Sequence, residues 1–124
     1  MEHRSTILIV DDDSRNIFAM NAVLRTRGYQ CLAVTTAAEA FGLLSGNNGI
    51  DIVLLDMMMP DMDGYEALRR LKHSESTSRL PVVAVTAQAM KGDREKCLEA
   101  GADDYVSKPV DIDELERVIK RLLK

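Results

Sequence analysis

The sequence predicts an α/β fold in which a parallel sheet is covered by helices on both faces. Five short apolar runs, rich in β-branched residues, recur along the 124 residues, and longer amphipathic segments separate them. The runs are continuous rather than alternating, which is typical of strands buried on both faces of a parallel sheet. Five strands alternating with five helices, joined by right-handed crossovers, form a three-layer sandwich. The length fits one domain spanning residues 1–124.

The five predicted strands are short and are expected to be buried. They cover residues 7–10, 31–34, 52–55, 82–85 and, more weakly, 105–106.

Helix signals fill the segments between these strands. Residues 14–27 carry an apolar stripe and end at Gly28, a suitable C-terminal cap, while Asp13 is favoured as the N-cap. Helices are also predicted at 37–45, 65–71 and 90–98, and the last of these has only a thin apolar stripe and therefore low local stability. Residues 112–122 show the clearest helical period, with Asp111 as the N-cap.

Composition excludes several function classes. A formal net charge of -4 argues against a nucleic-acid-binding surface or an anchor on anionic lipid. No apolar run approaches the roughly 20 residues of a membrane span, and there is no secretory h-region. Cys31 and Cys97 belong to no metal-binding cluster, so reduced thiols and a cytoplasmic location are expected.

Acidic residues concentrate in the first half of the chain and at predicted strand ends. The first 64 residues hold nine acidic and four basic side chains. Ligands of open parallel sheets bind beyond the carboxyl ends of the strands. At these ends, the first strand is followed by Asp11, Asp12 and Asp13, and the third by Asp56. The fourth strand is followed by Thr86, and the fifth by Ser107, Lys108 and Pro109.

Such an arrangement suits a hard cation and a phosphoryl group. Clustered carboxylates repel one another unless a cation shares the site, and Mg²⁺ prefers oxygen ligands. The sequence has no P-loop to deliver a nucleotide, but an aspartate can itself accept a phosphoryl group. Taken singly, each residue could be a surface acid, a strand-end threonine or a loop lysine. Five such positions together favour a site.

Four runs carry a family resemblance that covers nearly the whole chain. They are IVDD at 9–12, LDMMMPDMDG at 55–64, VTA at 85–87 and AGADDYVSKP at 100–109. In this order they resemble the receiver domain of two-component response regulators and of hybrid sensor histidine kinases. The resemblance implies a flavodoxin-like sheet of strand order 2-1-3-4-5.

The resemblance also implies roles for individual residues. Asp56 would be the phosphoacceptor and would hold Mg²⁺ together with Asp11, Asp12 and the backbone carbonyl of Met58. Thr86 and Lys108 would bind phosphoryl oxygens, and the Lys108-Pro109 peptide would be cis.

Tyr105 is implied to be a switch whose ring turns inward when Thr86 moves towards the phosphoryl group, although an aromatic residue in a short strand commonly just packs the core. Met58 and Gln88 would flank the path of a hydrolytic water and set the lifetime of the phosphorylated state.

The implied function is phosphorelay signalling by a regulatory domain that catalyses only its own phosphorylation and slow dephosphorylation. The phosphoryl donor would be a histidine on a sensor kinase or a phosphotransfer protein. A downstream protein would bind residues 90–124, and a phosphorylation-dependent dimer is left open. Because nothing follows Lys124, output through association is expected, by a free-standing receiver or one excised from a larger regulator or hybrid kinase.

Two other function classes stay open from the residues. An aspartyl-phosphate phosphohydrolase of the haloacid dehalogenase type would carry a second Asp two residues after the nucleophile, where this chain has Met58. A flavodoxin-like nucleotide binder would carry a Ser/Thr/Gly-rich phosphate loop, where this chain has three aspartates that repel phosphate.

Overall fold

A computed structural model describes residues 5–46, 49–60, 63–86 and 92–123. Its five strands all run parallel, in the order β2-β1-β3-β4-β5. The strands are β1 (Thr6–Val10), β2 (Gln30–Val34), β3 (Ile52–Asp56), β4 (Val82–Thr86) and β5 (Asp104–Ser107). The predicted fold class and strand order are confirmed.

Five helices connect or follow these strands. They are α1 (Ser14–Thr26), α2 (Ala37–Ser45), α3 (Gly64–His73), α4 (Asp93–Ala100) and α5 (Ile112–Leu122). Asp13 and Asp111 cap α1 and α5 as predicted, and Gly28 follows α1 with a left-handed φ of 95°. Helix α4 ends two residues later than predicted, and residues 90 and 91 of its predicted start lie outside the described part of the chain.

The alternating side chains of each central strand divide the core into two layers. In β1, Ile7 and Ile9 pack with residues of α1 and α5, whereas Leu8 and Val10 pack with residues of α2, α3 and α4. Because both faces are covered, β1, β3 and β4 are almost entirely buried. The structure is the three-layer sandwich that the sequence predicts.

Strand β2 departs from the prediction that all five strands are buried. Leu32 is 40% exposed, and of the five β2 residues only Val34 is buried. The prediction was wrong because β2 is an edge strand, hydrogen-bonded to β1 on one side only. A continuous apolar run does not distinguish an edge strand from a central one.

Strand ends position the predicted site residues. Strands β3 and β4 each run one residue further than predicted, so Asp56 and Thr86 are their last residues. Asp56 is in register with Val85, and Thr86 with Ser107. No helix in the described ranges is long and apolar enough to cross a membrane.

Candidate functional site

Three carboxylates meet at the carboxyl edge of the sheet. Asp11, Asp12 and Asp56 each offer one oxygen, and these oxygens lie within 4.8 Å of one another. Asp11 and Asp56 are 2% and 3% exposed, whereas Asp12 faces solvent. Two of the three acids are thus deeply buried at the ends of neighbouring strands.

Hydrogen bonds from the start of α1 hold Asp11. The Asp13 backbone N–H donates to its Oδ1 at 2.8 Å, and the Asn16 side-chain amide donates to its Oδ2 at 2.5 Å. Sequence reasoning missed Asn16. The available signal was an amide side chain in the first turn of the helix that follows the aspartate run, where its donors can reach back to the strand end.

Asp56 is held from two directions. The Met58 backbone N–H donates to Oδ1 at 2.9 Å, and Lys108 Nζ donates to Oδ2 at 3.2 Å. Lys108 Nζ also lies 3.4 Å from Asp11 Oδ2. The Lys108 backbone N–H donates to the Thr86 carbonyl at 2.7 Å, and the Lys108-Pro109 peptide is cis as expected. One ammonium group therefore serves both buried carboxylates.

Burial and neighbouring charges set the protonation of this pair. Burial raises the pKa of Asp56, and the nearby Asp11 charge adds to this, while the Met58 N–H and Lys108 counteract only part of it. Burial alone would lower the pKa of Lys108, but the charges of Asp56 and Asp11 outweigh it and raise that pKa. Lys108 is therefore an ammonium ion at neutral pH.

The remaining predicted residues surround this centre. Thr86 is buried at the end of β4 and Tyr105 is partly buried in β5. Met58 is 48% exposed, whereas Met57 and Met59 are buried and belong to the core. Gln88 lies outside the described residues.

The donor set fits a hard divalent cation. Carboxylate oxygens are ligands that Mg²⁺ prefers, and an ion among three of them would offset their mutual repulsion. The adjacent ammonium and the Thr86 position supply the kind of groups that stabilise a transferred phosphoryl group.

Fold and site together define a receiver domain of two-component signalling. The chain belongs to this family: the model of the response regulator receiver domain matches residues 7–120. It is thus a receiver domain of a two-component phosphorelay, from a family of regulatory phosphoacceptor domains.

Curated relatives include both stand-alone regulators and parts of kinases. The chain is 32% identical over 118 residues to the polar-differentiation response regulator DivK of Brucella ovis, covering 95% of each. It is 42% identical over 113 residues to the sensor histidine kinase RcsC of Salmonella typhi, covering 91% of this chain but only 12% of the kinase. It spans 7% of the hybrid signal transduction histidine kinase L of Dictyostelium discoideum.

Solved structures share the fold over almost the full length. The receiver domain of a sensor histidine kinase from Pseudomonas aeruginosa superposes with a TM-score of 0.86 at 36% identity, covering 98% of both chains. That structure holds a magnesium ion coordinated in its active-site cleft.

Proposed function

We propose that residues 1–124 form a single receiver domain that accepts a phosphoryl group from a phosphohistidine onto Asp56, with Mg²⁺ bound beside it. The observation that carries the proposal is the buried Asp56 carboxylate, which shares Lys108 with Asp11 within a cluster of three acids. A carboxylate that is buried at a cost in free energy and lies beside a fixed cation is typical of a functional site.

Asp56 supplies the nucleophile. One of its oxygens attacks phosphorus, the P–O bond forms as the P–N bond to the donor imidazole breaks, and the imidazole leaves with that electron pair. The Met58 N–H and Lys108 orient the carboxylate before attack. Lys108 and the Thr86 hydroxyl then bind phosphoryl oxygens, where a loose transition state carries most of its charge.

Asp11, Asp12, Asp56 and the Met58 carbonyl would hold the Mg²⁺. When bound, the ion neutralises charge that develops on the phosphoryl oxygens. Asn16 and the Asp13 N–H fix the Asp11 carboxylate in advance, which lowers the cost of ordering it on binding.

The phosphoryl donor would be a sensor histidine kinase or a histidine phosphotransfer protein, as the kinase relatives suggest. Phosphorylation would replace the single negative charge of the Asp56 carboxylate by a phosphoryl group of about -1.5 to -2 charges with three acceptor oxygens, which would draw Thr86 and Lys108 inward and let Tyr105 turn. A downstream partner would then bind residues 90–124, of which the structure describes 92–123. A phosphorylation-dependent dimer is one form of that partner.

The test is phosphorylation by a small donor. The chain is incubated with Mg²⁺ and acetyl phosphate, and intact mass is compared with Asp56→Asn and with the control Asp13→Asn, which keeps a capping side chain. We expect a single base-labile phosphoryl adduct on the native chain and on Asp13→Asn, and none on Asp56→Asn. An adduct that persists in Asp56→Asn would contradict the assignment.

The same reaction separates a receiver from a phosphohydrolase. A phosphohydrolase needs an acid/base carboxylate near the nucleophile, and the exposed Met58 stands at the position where that family carries one. We expect slow release of phosphate from the adduct and no sustained turnover of phosphomonoesters. Substitution of Met58 or Gln88 by an acid or a carboxamide should alter the dephosphorylation rate.

A further inference from the structure

Helix α4 is the one described helix whose first turn has no side-chain cap. Its N-cap is Gly92, with a left-handed φ of 87° and no side-chain hydrogen bond. The other four begin with a capping side chain, namely Asp13, Thr36, Asp63 and Asp111. The two residues that α4 buries, Cys97 and Ala100, both lie in its second half. The position of the N-terminal end of α4 therefore depends largely on contacts made by its first residues.

One such contact is made by Asp93, the first residue of α4. The Tyr65 hydroxyl donates to Asp93 Oδ1 at 2.9 Å, across 28 residues of sequence. Tyr65 is itself fixed at the start of α3, because its backbone N–H donates to the Asp63 cap at 3.0 Å. Asp93 thus connects α4 to the beginning of α3.

Helix α4 also packs against β5, and Tyr105 lies against the same core layer as Tyr65 and the α4 residue Cys97. Burial is the first cause of the raised pKa of Tyr105, and the nearby Asp93 charge adds to it. Tyr105 lies in the strand that leads to Lys108, and Tyr65 follows the loop that leads from Asp56. One carboxylate therefore joins the two segments that carry the Asp56–Lys108 ion pair.

We propose that Asp93 is a positioning residue for the switch: by holding Tyr65 and Tyr105 together, it keeps α4 and the Tyr105 ring in the unphosphorylated arrangement. Inward rotation of Tyr105 would give up its contact with Asp93. This rests on the proposed function, since the arrangement it opposes is the one that follows phosphorylation of Asp56. Removing the contact favours the switched arrangement while Asp56, Thr86 and Lys108 stay intact.

Tyrosine fluorine NMR tests this directly, because the chain has only three tyrosines. The chain is labelled with 3-fluorotyrosine, and Tyr29, which packs in the α1/α5 layer, serves as the internal reference. Spectra are recorded with and without Mg²⁺ plus beryllofluoride, a phosphoryl mimic. The variants are Tyr65→Phe, which keeps the ring, and Asp93→Ala, with Glu95→Ala as the matched loss of an exposed first-turn acid on the same helix.

Without beryllofluoride, we expect Tyr65→Phe and Asp93→Ala to move the Tyr105 resonance towards its beryllofluoride position. The ratio of the two states should change about tenfold, as for the loss of one hydrogen bond to a charged group. Glu95→Ala should leave the resonance in place. If the contact were merely structural, its loss would broaden the resonances or unfold the protein and would move the Tyr29 resonance as well. The Tyr105 resonance would then not shift towards its beryllofluoride position.

An unmoved Tyr105 resonance in Tyr65→Phe, with native Tyr29 and a cooperative melt, would overturn the proposal even if Asp93→Ala fails to fold. Failure of the proposed function is read separately, as absence of the mass adduct on Asp56. The Tyr105 shift between variants needs no phosphoryl donor, so the two failures are distinguishable.

Discussion

Replacing Asp56 by Asn should stabilise the fold in the absence of Mg²⁺. At an effective dielectric constant of about 20, repulsion from Asp11, which lies within 4.8 Å, costs at least about 3.5 kcal/mol, and attraction to Lys108 at 3.2 Å gains about 5 kcal/mol. The Met58 N–H adds about 1.5 kcal/mol. Burial of the charge costs several kcal/mol, which exceeds the net gain from Lys108 and the Met58 N–H after the repulsion from Asp11 is subtracted. The raised pKa of Asp56 agrees with this. The balance is a cost of about 1 to 2 kcal/mol, which Asn avoids while still accepting the Met58 hydrogen bond.

The assay is thermal and urea unfolding of the native chain and Asp56→Asn in EDTA and in excess Mg²⁺. In EDTA the variant should melt about 4 to 8 °C higher. A ligand that binds only the folded state stabilises it. Mg²⁺ should therefore raise the melting temperature of the native chain more than that of the variant, and so shrink or reverse the difference between the two. Asp13→Asn, a loss of one acid outside the buried pair, should behave as the native chain in both conditions.

Acidity provides a further check on the same variant. An acid whose pKa is raised by folding is destabilising only when ionised, so the cost is absent below the ordinary value of 3.8 and complete above the raised pKa. The advantage of Asp56→Asn should therefore vanish at low pH and grow as the pH rises. A variant less stable than the native chain in EDTA at neutral pH would refute the reasoning.

Two other predictions concern residues outside the carboxylate cluster. The hydrogen bond to Asp93, with burial, raises the pKa of Tyr65 to about 12. This bond therefore stabilises the fold below pH 10, and its contribution is lost as the pH rises through about 12. Absorbance titration should show one tyrosine ionising near that pH, and Asp93→Ala should lower the pKa of that tyrosine. Gly101 has a φ of 117° and an added Cβ would lie 2.6 Å from Lys72 Cγ, so Gly101→Ala should cost about 1 to 3 kcal/mol in urea unfolding. Gly42→Ala, inside α2 with open space around it, should gain about 0.5 to 1 kcal/mol, and equal effects at the two glycines would contradict this account.

Much of the fold could be predicted because local and global signals agree. Continuous apolar runs identified β1, β3 and β4, and caps such as Asp13 and Asp111 located two helix starts to the residue. The exposure of β2 could not be predicted from its own residues, because it depends on which strand has a single neighbour.

The candidate site was predictable to the extent that strand ends converge. Asp11, Asp12 and Asp56 meet as expected, and Lys108 from the second half of the chain pairs with two of them. Asn16 was missed because an amide in the first turn of a helix indicates a partner at the strand end only once the direction of its side chain is known. The Tyr65–Asp93 bond was missed for a related reason, since 28 residues separate two unremarkable polar positions.

The order of strands distributes local stability unevenly around Asp56. Strands β1 and β3, which lead to the two buried acids, are covered on both faces, whereas α4 begins without a side-chain cap and buries no residue in its first half. Backbone amides of β1 and β3 should exchange with solvent only on global unfolding, and those of α4 through local opening. A phosphoryl charge at Asp56 would therefore act on the strands that open least readily, and we expect the rearrangement that it causes at the N-terminal end of α4, on the β5 side of the sheet.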